Sequence, residues 1–397
     1  MARKLQIVVA GGGVAGLAAA AALGRAGHAV TVLEQAPALT EVGAGLQLSP
    51  NAMRALDAMG AGEGARALGS RPEAVELRTH ASGRTVYRLA LGRTAESRWG
   101  APYLNIHRAD LLSVLEQAAR DAGAEIRLGV KVERAGDIRG GAALYTDSGV
   151  FQGDLAIAAD GVRSALRPTV GGASRPTFAG NMAWRGAVSA ERLPAALLSP
   201  RVTVWMGPRR HLVTYPLREG RLLNFVAVQE QAEWTAEGWS TPGDPAELRA
   251  AFAGWHPEVA TLFEAVQDTF RWGLFGHPTL KRWSRERVAM LGDAAHPTLP
   301  FLAQGAAMAL EDAVVLTRAL AAYDPAQALE LWERARKPRA TRLQAAAARN
   351  GKRFHARFAL DQWVKTTALG TFARLAPETA QGLNDWVYSY DPTRAPV

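Results

Sequence analysis

Three glycines and one acid near the start of the chain are the first residues whose types and spacing could do chemistry. They form the pattern Gly11-x-Gly13-x-x-Gly16, with Glu34 following 18 residues after the last glycine. Gly11 allows a tight turn out of a strand. Gly13 lets a pyrophosphate reach backbone amides with no Cβ in the way, and Gly16 lets a helix pack closely on strands. A helix that starts there points free N–H groups and the positive end of its dipole at phosphate. Glu34 can accept hydrogen bonds from ribose hydroxyls. This is dinucleotide-binding chemistry, and since FAD and NAD share the adenosine diphosphate half, the fingerprint alone does not choose between them.

Two later motifs narrow the choice. Asp160-Gly161-Val162-Arg163-Ser164 follows a short apolar run at residues 155–159. Gly292-Asp293-Ala294-Ala295-His296-Pro297 follows another at 288–291, and after it come Pro300, the turn Gln304-Gly305-Ala306 and a helical run from Ala307 through Asp312 and Ala313. The last motif reads as a strand that delivers the Asp293 carboxylate at its end, next to a helix N-terminus. The carboxylate can hold ribityl or ribose hydroxyls, and the helix end can stabilise negative charge on the N1–C2=O edge of a reduced flavin. His296 beside Asp293 invites a catalytic role, or else serves the structure around the cofactor.

These groups require a strand–helix–strand frame, and the sequence supplies one: residues 5–10 as strand, 14–25 as an alanine-rich helix, 29–33 as strand. The uncharged run at 7–24, behind Arg3 and Lys4, superficially resembles a signal peptide or membrane span. The glycines Gly11, Gly12, Gly13 and Gly16 in its middle and its alanine content argue for a soluble, cytoplasmic protein instead. At 397 residues the chain exceeds a single core, which stops growing near ~250–300 residues, so two or three domains are expected. The ordinary balance of 48% hydrophobic and 21% charged residues excludes disordered, collagen-like and coiled-coil chains. With no cysteine, disulfides, thiolate metal sites, iron–sulfur clusters and cysteine nucleophiles are excluded. The net charge of +9 is compatible with nucleic acid, an acidic membrane or an anionic small molecule. Much of it falls late, from Arg334, Arg336, Lys337, Arg339 and Arg342 to Arg349, Lys352 and Arg353, and reads as a solvated or interdomain helix face without a stacking platform for bases. No histidine cluster has metal-ligand spacing, and no internal repeat or low-complexity linker is visible.

Taken together, the three motifs resemble the single-component FAD-dependent aromatic hydroxylases, in particular the salicylate 1-hydroxylase, 3-hydroxybenzoate 6-hydroxylase and 6-hydroxynicotinate 3-monooxygenase group. A fourth match is Ile106-His107-Arg108-Ala109-Asp110-Leu111, where the family uses the arginine to contact FAD. The resemblance implies an α/β fold: a Rossmann-like FAD-binding domain of GxGxxG type, an inserted mixed-sheet substrate domain and a helical C-terminus. The FAD-binding segments would be residues 1–75, 101–176 and 277–355, the substrate domain 76–100 and 177–276, and the C-terminal helical segment 356–397, packed on a partner subunit or on the FAD domain. Within the insert, residues 201–206, 211–217 and 221–229 read as successive strands with turns at Gly207-Pro208 and Glu219-Gly220. There is no second strand-linked GxGxxG, as in the family, where NADH or NADPH visits transiently.

The implied reaction reduces FAD with NAD(P)H and transfers one oxygen from O2, through a flavin C4a-hydroperoxide, to an electron-rich ring. The expected FAD contacts are Gly11, Gly13, Val14, Ala15, Gly16, Glu34, Gln35, Arg108, Val132, Asp160, Asp293, Pro300, Gly305 and Ala306. A phenolate is a better substrate than a phenol, so a base or acceptor is expected near the substrate hydroxyl. His211 and Tyr215 are the candidates: four apart in a strand, they share a face, and related hydroxylases place a histidine and a tyrosine with this spacing at the aromatic substrate. Gln47, in the loop Gly43-Ala44-Gly45-Leu46-Gln47, Arg185 and Tyr215 are the candidate substrate contacts. Arg185 is either a bidentate carboxylate partner or a structural arginine of the inserted sheet. The nicotinate-type enzymes tend to carry histidine at Gln47 and the 3-hydroxybenzoate type glutamine at Pro300, which leaves salicylate-like acids by elimination. A larger polycyclic substrate, a non-catalytic flavin module and a nucleic-acid binder are the alternatives. The expected partners are a small aromatic substrate and O2, with no nucleic acid or membrane, for a monomer or homodimer.

Overall fold

A computed structural model describes residues 3–39, 45–172, 176–234, 241–277, 280–356 and 359–397. Gly43 and Ala44 of the expected loop lie outside these described residues.

The apolar runs flanking the three motifs assemble into one six-stranded sheet, in the order Ser284–Arg285, Val288–Met290, Leu155–Ala158, Gln6–Ala10, Ala29–Glu34, Glu125–Leu128. Every pairing is parallel except that of the two-residue edge strand Ser284–Arg285. Leu155–Ala158 and Val288–Met290 are wholly buried, as strands covered on both faces should be. Helix Val14–Arg25 explains the alanine run at the N-terminus. It is buried from Val14 to Leu23 and packs against helices Arg108–Asp121 and Gly305–Ala322. A helix that is apolar all round belongs inside the protein, and small side chains let three helices approach closely.

The second sheet has nine strands. Eight run in the order Thr241–Gly243, Thr269–Gly276, Thr177–Ser189, Leu222–Glu230, Arg210–Leu217, Arg201–Pro208, Ala74–Thr79, Thr85–Ala90, and His355–Ala356 joins the end of Arg201–Pro208. Only the pairings of Arg201–Pro208 with Ala74–Thr79 and with His355–Ala356 are parallel, so the sheet is mixed. Its two faces separate by strand alternation. Trp184, Trp205, Leu212, Phe225 and Ala227 form a core with Phe252 and Phe263 from the helical segment behind them. Val204, Met206, His211, Val213, Tyr215, Val226 and Val228 look the other way, onto a cavity. The expected reversal at Gly207-Pro208 is displaced: the strand continues through Pro208 and the chain turns at Arg209, whose φ is +56°. Gly207 is needed there for another reason, since a Cβ would lie 2.6 Å from the Trp255 ring.

After the 30-residue helix Pro325–Phe354 the tail forms helices Ala359–Leu375, Pro377–Gln381 and Asp385–Tyr388. It folds back on the same chain: Val387 and Tyr388 join the core around the parallel sheet, and Asp385 pairs with Arg98 at 2.8 Å. The basic run is a face of mixed exposure: Arg334, Arg342, Arg349, Lys352 and Arg353 are exposed, while Arg336 and Arg339 turn inward. Arg336 is completely buried between Glu311 and Asp312, Arg339 is nearly so, and Arg349 and Arg353 reach the cavity. Its aromatic partners come from the tail, with Arg339 stacked over Tyr390 and Arg342 over Trp386.

Candidate active site

A cavity of about 1490 Å³ runs from the first glycine turn to the inner face of the mixed sheet. At the glycine-turn end the glycines have separate physical jobs. Gly11 has φ +103° and a Cβ there would lie 2.5 Å from the Ala159 carbonyl oxygen; a Cβ on Gly16 would lie 1.9 Å from the Gly11 carbonyl oxygen. Both glycines thus belong to the packing behind the wall. Gly13 caps helix Val14–Arg25, has nothing within 4 Å of a built Cβ, and lines the cavity with Val14 and Ala15. Glu34 accepts from the Gly12 N–H at 2.6 Å and the Ala36 N–H at 2.8 Å, which fixes its carboxylate at the strand end beside this turn. Gln35 is exposed next to it, and Val132 packs on the neighbouring core.

The two strand-end motifs meet at the middle of the cavity. Asp160 is turned into its own loop, where Oδ2 accepts from the Leu166 N–H at 3.2 Å; Gly161, Val162, Arg163 and Ser164 supply the wall instead. Arg167, which the sequence reading missed, is buried and binds the two loops together. Its guanidinium donates to the carbonyls of Val162, Asp293 and Ala294. Asp293 faces the cavity near Arg108; burial pushes its carboxyl up, against the opposing fields of His296, Arg108 and Arg167. Burial likewise pulls Arg108 down. Pro300, Gly305 and Ala306 complete this section, with the N-terminus of the 18-residue helix Gly305–Ala322 opening into the cavity.

That helix is anchored from below by an almost fully buried ion network. Arg336 contacts Glu311 at 2.8 Å and Asp312 at 2.9 Å, Arg339 contacts Glu311 at 2.8 Å, and His296 Nε2 lies 2.5 Å from Asp312. Asn51 donates to Glu311 at 2.7 Å and to Gln304 at 3.0 Å, joining the network to the helix cap. His296 is therefore a buried positioning residue, its ring tilted against Trp283 and away from the cavity wall.

At the far end, His211 and Tyr215 stand on one wall, as their spacing predicts. The Tyr215 ring packs on Gly45, where a Cβ would lie 2.5 Å from it, and Gly45 N–H donates to Asn224 at 2.7 Å. Burial pushes the Tyr215 phenol up, so it stays protonated at neutral pH. Gln47 is on the wall and accepts from the Tyr103 hydroxyl at 2.7 Å. His211 is buried, flanked by Phe301 and Phe354, and its Nδ1 lies 2.7 Å from His355 Nε2. Burial, then the neighbouring His355, holds His211 well below the usual histidine range. Arg185 is the one substrate candidate that the structure does not bring to the wall. Its guanidinium lies 4.8 Å over the Trp272 ring, and Trp272 is the residue that faces the cavity. Burial and then Arg108 pull Arg185 down to about 10, which leaves it charged at neutral pH.

Residues 4–347 match the FAD-binding-domain family. The chain is 38% identical over 396 residues to the 3-amino-4-hydroxybenzoate 2-monooxygenase PtnB3 of Streptomyces platensis, covering 99% of this chain and 97% of the relative. The chain belongs to the FAD-dependent aromatic hydroxylases. It is also 36% identical to the 3-hydroxybenzoate 6-hydroxylase of Polaromonas naphthalenivorans, over 98% of this chain and 96% of that one. Among solved structures, Klebsiella pneumoniae HpxO complexed with FAD and uric acid superposes with a TM-score of 0.83 at 29% identity, covering 95% of this chain and 96% of that one.

The residues present fit the hydroxylases' flavin. The cavity exceeds the roughly 300–1,000 Å³ of a typical small-ligand site, as a site for a dinucleotide and a ring together must. The open space at Gly13 would let a phosphate reach backbone amides, and the Gly305 helix end would offer a flavin ring a partial positive charge. The wall residues that the sequence reading missed, Arg167, Trp272, Phe301 and Arg353 among them, carry no local motif; each arrives from a different element.

Proposed function

We propose that this enzyme hydroxylates a small phenolic or heteroaromatic acid, salicylate-like in size, using NADH or NADPH and O2. The observation that carries the reading is the continuity of one cavity from Gly13 to His211 and Tyr215, which lets a flavin and an aromatic ring share one space. When bound, FAD accepts hydride from the nicotinamide and activates O2 for transfer of one oxygen to the ring. The first glycine turn and Glu34 would hold the adenosine half of FAD, and Arg108, Asp293, Pro300, Gly305 and Ala306 the flavin half.

The protein's own contribution lies at the ring. His211 would take the phenolic proton, and the protonated Tyr215 hydroxyl would donate to the resulting oxyanion. Gln47, already ordered by Tyr103, adds a further polar contact. Val204, Val226, Val228 and Trp272 exclude water from the reacting face. The reading divides the chain into FAD-binding segments at 1–75, 101–176 and 277–355 and a substrate domain at 76–100 and 177–276. His355–Ala356 lies at the far edge of this division, hydrogen-bonded into the mixed sheet. We place the enzyme in the cytoplasm as a monomer or homodimer; among the described residues no helix is long and apolar enough to cross a membrane.

A larger polycyclic substrate is the second reading, favoured by the extension of the cavity to Phe372 and Leu383 on the tail. Nicotinamide oxidation by FAD-loaded protein, measured with a panel of phenolic and pyridine carboxylic acids, tests the choice. The proposal expects one acid to stimulate turnover strongly and to appear as a hydroxylated product. Indifference to every small acid, with stimulation by a polycyclic phenol, transfers the assignment to the second reading.

A further inference from the structure

Three strands bring titratable groups together behind the cavity wall. His211 comes from Arg210–Leu217, Glu230 from the end of Leu222–Glu230, and His355 from the short strand that joins Gly207 and Pro208. His211 Nδ1 lies 2.7 Å from His355 Nε2, and His355 Nδ1 lies 3.2 Å from Glu230 Oε1. His211 lines the cavity, both imidazoles are buried, and the Glu230 side chain is 36% exposed. The contacts therefore form a line of acceptors and donors from the inside of the cavity to water.

The carboxylate fixes the proton positions. An ionised Glu230 can only accept, so His355 carries its proton on Nδ1 and leaves Nε2 bare. That bare nitrogen must accept, so His211 carries its proton on Nδ1. The remaining lone pair is on His211 Nε2, on the ring that lines the cavity. This tautomer is the one a base needs.

We propose that His211, His355 and Glu230 form a proton relay that carries the phenolic proton of the bound aromatic acid from the cavity to solvent. The inference rests on the reading above that the substrate phenol lies at His211. One proton enters and one leaves: the phenol O–H breaks as His211 Nε2–H forms, His211 Nδ1–H passes to His355 Nε2, and His355 Nδ1–H passes to Glu230, which releases it to water. Return of a proton along the same line to the product oxyanion restores both starting tautomers. The relay also resolves a difficulty with His211 as a solitary base. Its burial disfavours an imidazolium, whereas a histidine that gives up one proton as it receives another carries no net charge. Arg209 lies 3.0 Å from the second Glu230 oxygen, and Lys365 donates to the His355 carbonyl. Arg209 is the ion-pair partner of the carboxylate that sets the tautomers.

The test follows ionisation of 3-hydroxy-4-nitrobenzoate, a phenolic acid whose phenolate is coloured, on rapid mixing with anaerobic FAD-loaded protein in the absence of nicotinamide. Glu230→Gln keeps the shape but cannot take a proton, and His355→Gln interrupts the line. Each should slow phenolate formation by about tenfold or more while binding affinity changes little, and imidazole in the buffer should restore part of the rate in His355→Gln. Wild-type ionisation rates in both variants overturn the relay, as does a loss of rate that only follows a loss of affinity. If His355→Gln fails to retain FAD, the more exposed Glu230→Gln decides alone. Wild-type protein that binds the probe without ionising it refutes the placement of the phenol at His211, a separate failure from that of the relay.

Discussion

Replacing Arg336 by methionine tests the account of how the cavity-facing helix is held. In the native chain the guanidinium touches Glu311 at 2.8 Å and Asp312 at 2.9 Å, with all three side chains 0% exposed. Methionine keeps most of the bulk and removes the charge, leaving two buried carboxylates to share Arg339 and His296. Removing one partner of such a buried network costs about 3–5 kcal/mol. The pH dependence has a definite sign. Burial alone would raise both carboxyls, but Arg336 and Arg339 at Glu311, and His296 and Arg336 at Asp312, outweigh it and hold both below the usual carboxylate range. Depressed values contribute stability that is present above the unfolded pKa of about 4 and is lost as pH falls through the folded pKa. Without Arg336 burial dominates, a carboxyl moves above its unfolded value, and its penalty grows as pH rises. Urea unfolding of the apo protein at pH 7 and pH 5, with the slope unchanged, should therefore show a large loss at pH 7 that shrinks at pH 5. A loss below about 1 kcal/mol at pH 7, or one independent of pH, would refute the network's role.

The two glycine substitutions Gly13→Ala and Gly16→Ala separate binding from folding. The first adds a methyl to open space on the cavity side and should leave the apo Tm nearly unchanged while weakening FAD about tenfold or more; the second drives a Cβ to 1.9 Å from a backbone oxygen and should destabilise the apo fold itself. Equal effects on Tm from the two would contradict this division. Asp293→Asn should make the apo protein more stable at pH 7 and no different below pH about 4, because a carboxyl raised by burial destabilises the fold as pH climbs through its folded pKa; the same variant should hold FAD more weakly, which a flavin-release titration reads. Tyr215→Phe should keep the fold and the nicotinamide reaction but lower hydroxylated product by roughly 10²-fold, as loss of one donor to a developing oxyanion does. An unchanged ratio of product to nicotinamide oxidised counts against a role for that hydroxyl.

How much was legible in the sequence depended on whether the physics was local. The glycine turn, the strand-end carboxylate at Asp293 and the alternation that puts His211 and Tyr215 on one face are short-range patterns, and the structure places them at one cavity. His355 reaches His211 from 144 residues away on a two-residue strand that carries no pattern of its own. Arg336 looked like one more charge in a basic run because its partners Glu311 and Asp312 belong to another helix. At Asp160 and Arg185 residue type suggested a ligand contact; in the structure Asp160 accepts from the Leu166 N–H and the Arg185 guanidinium lies over the Trp272 ring.

The central claim is that one oxygen atom of O2 enters an aromatic ring in this cavity. Turnover of the FAD-loaded enzyme with nicotinamide and the stimulating acid under ¹⁸O2, read by mass spectrometry, addresses it directly. One labelled oxygen is expected in each molecule of hydroxylated product. A product whose new oxygen comes from water, or nicotinamide oxidation that yields only labelled hydrogen peroxide with every acid offered, would contradict it.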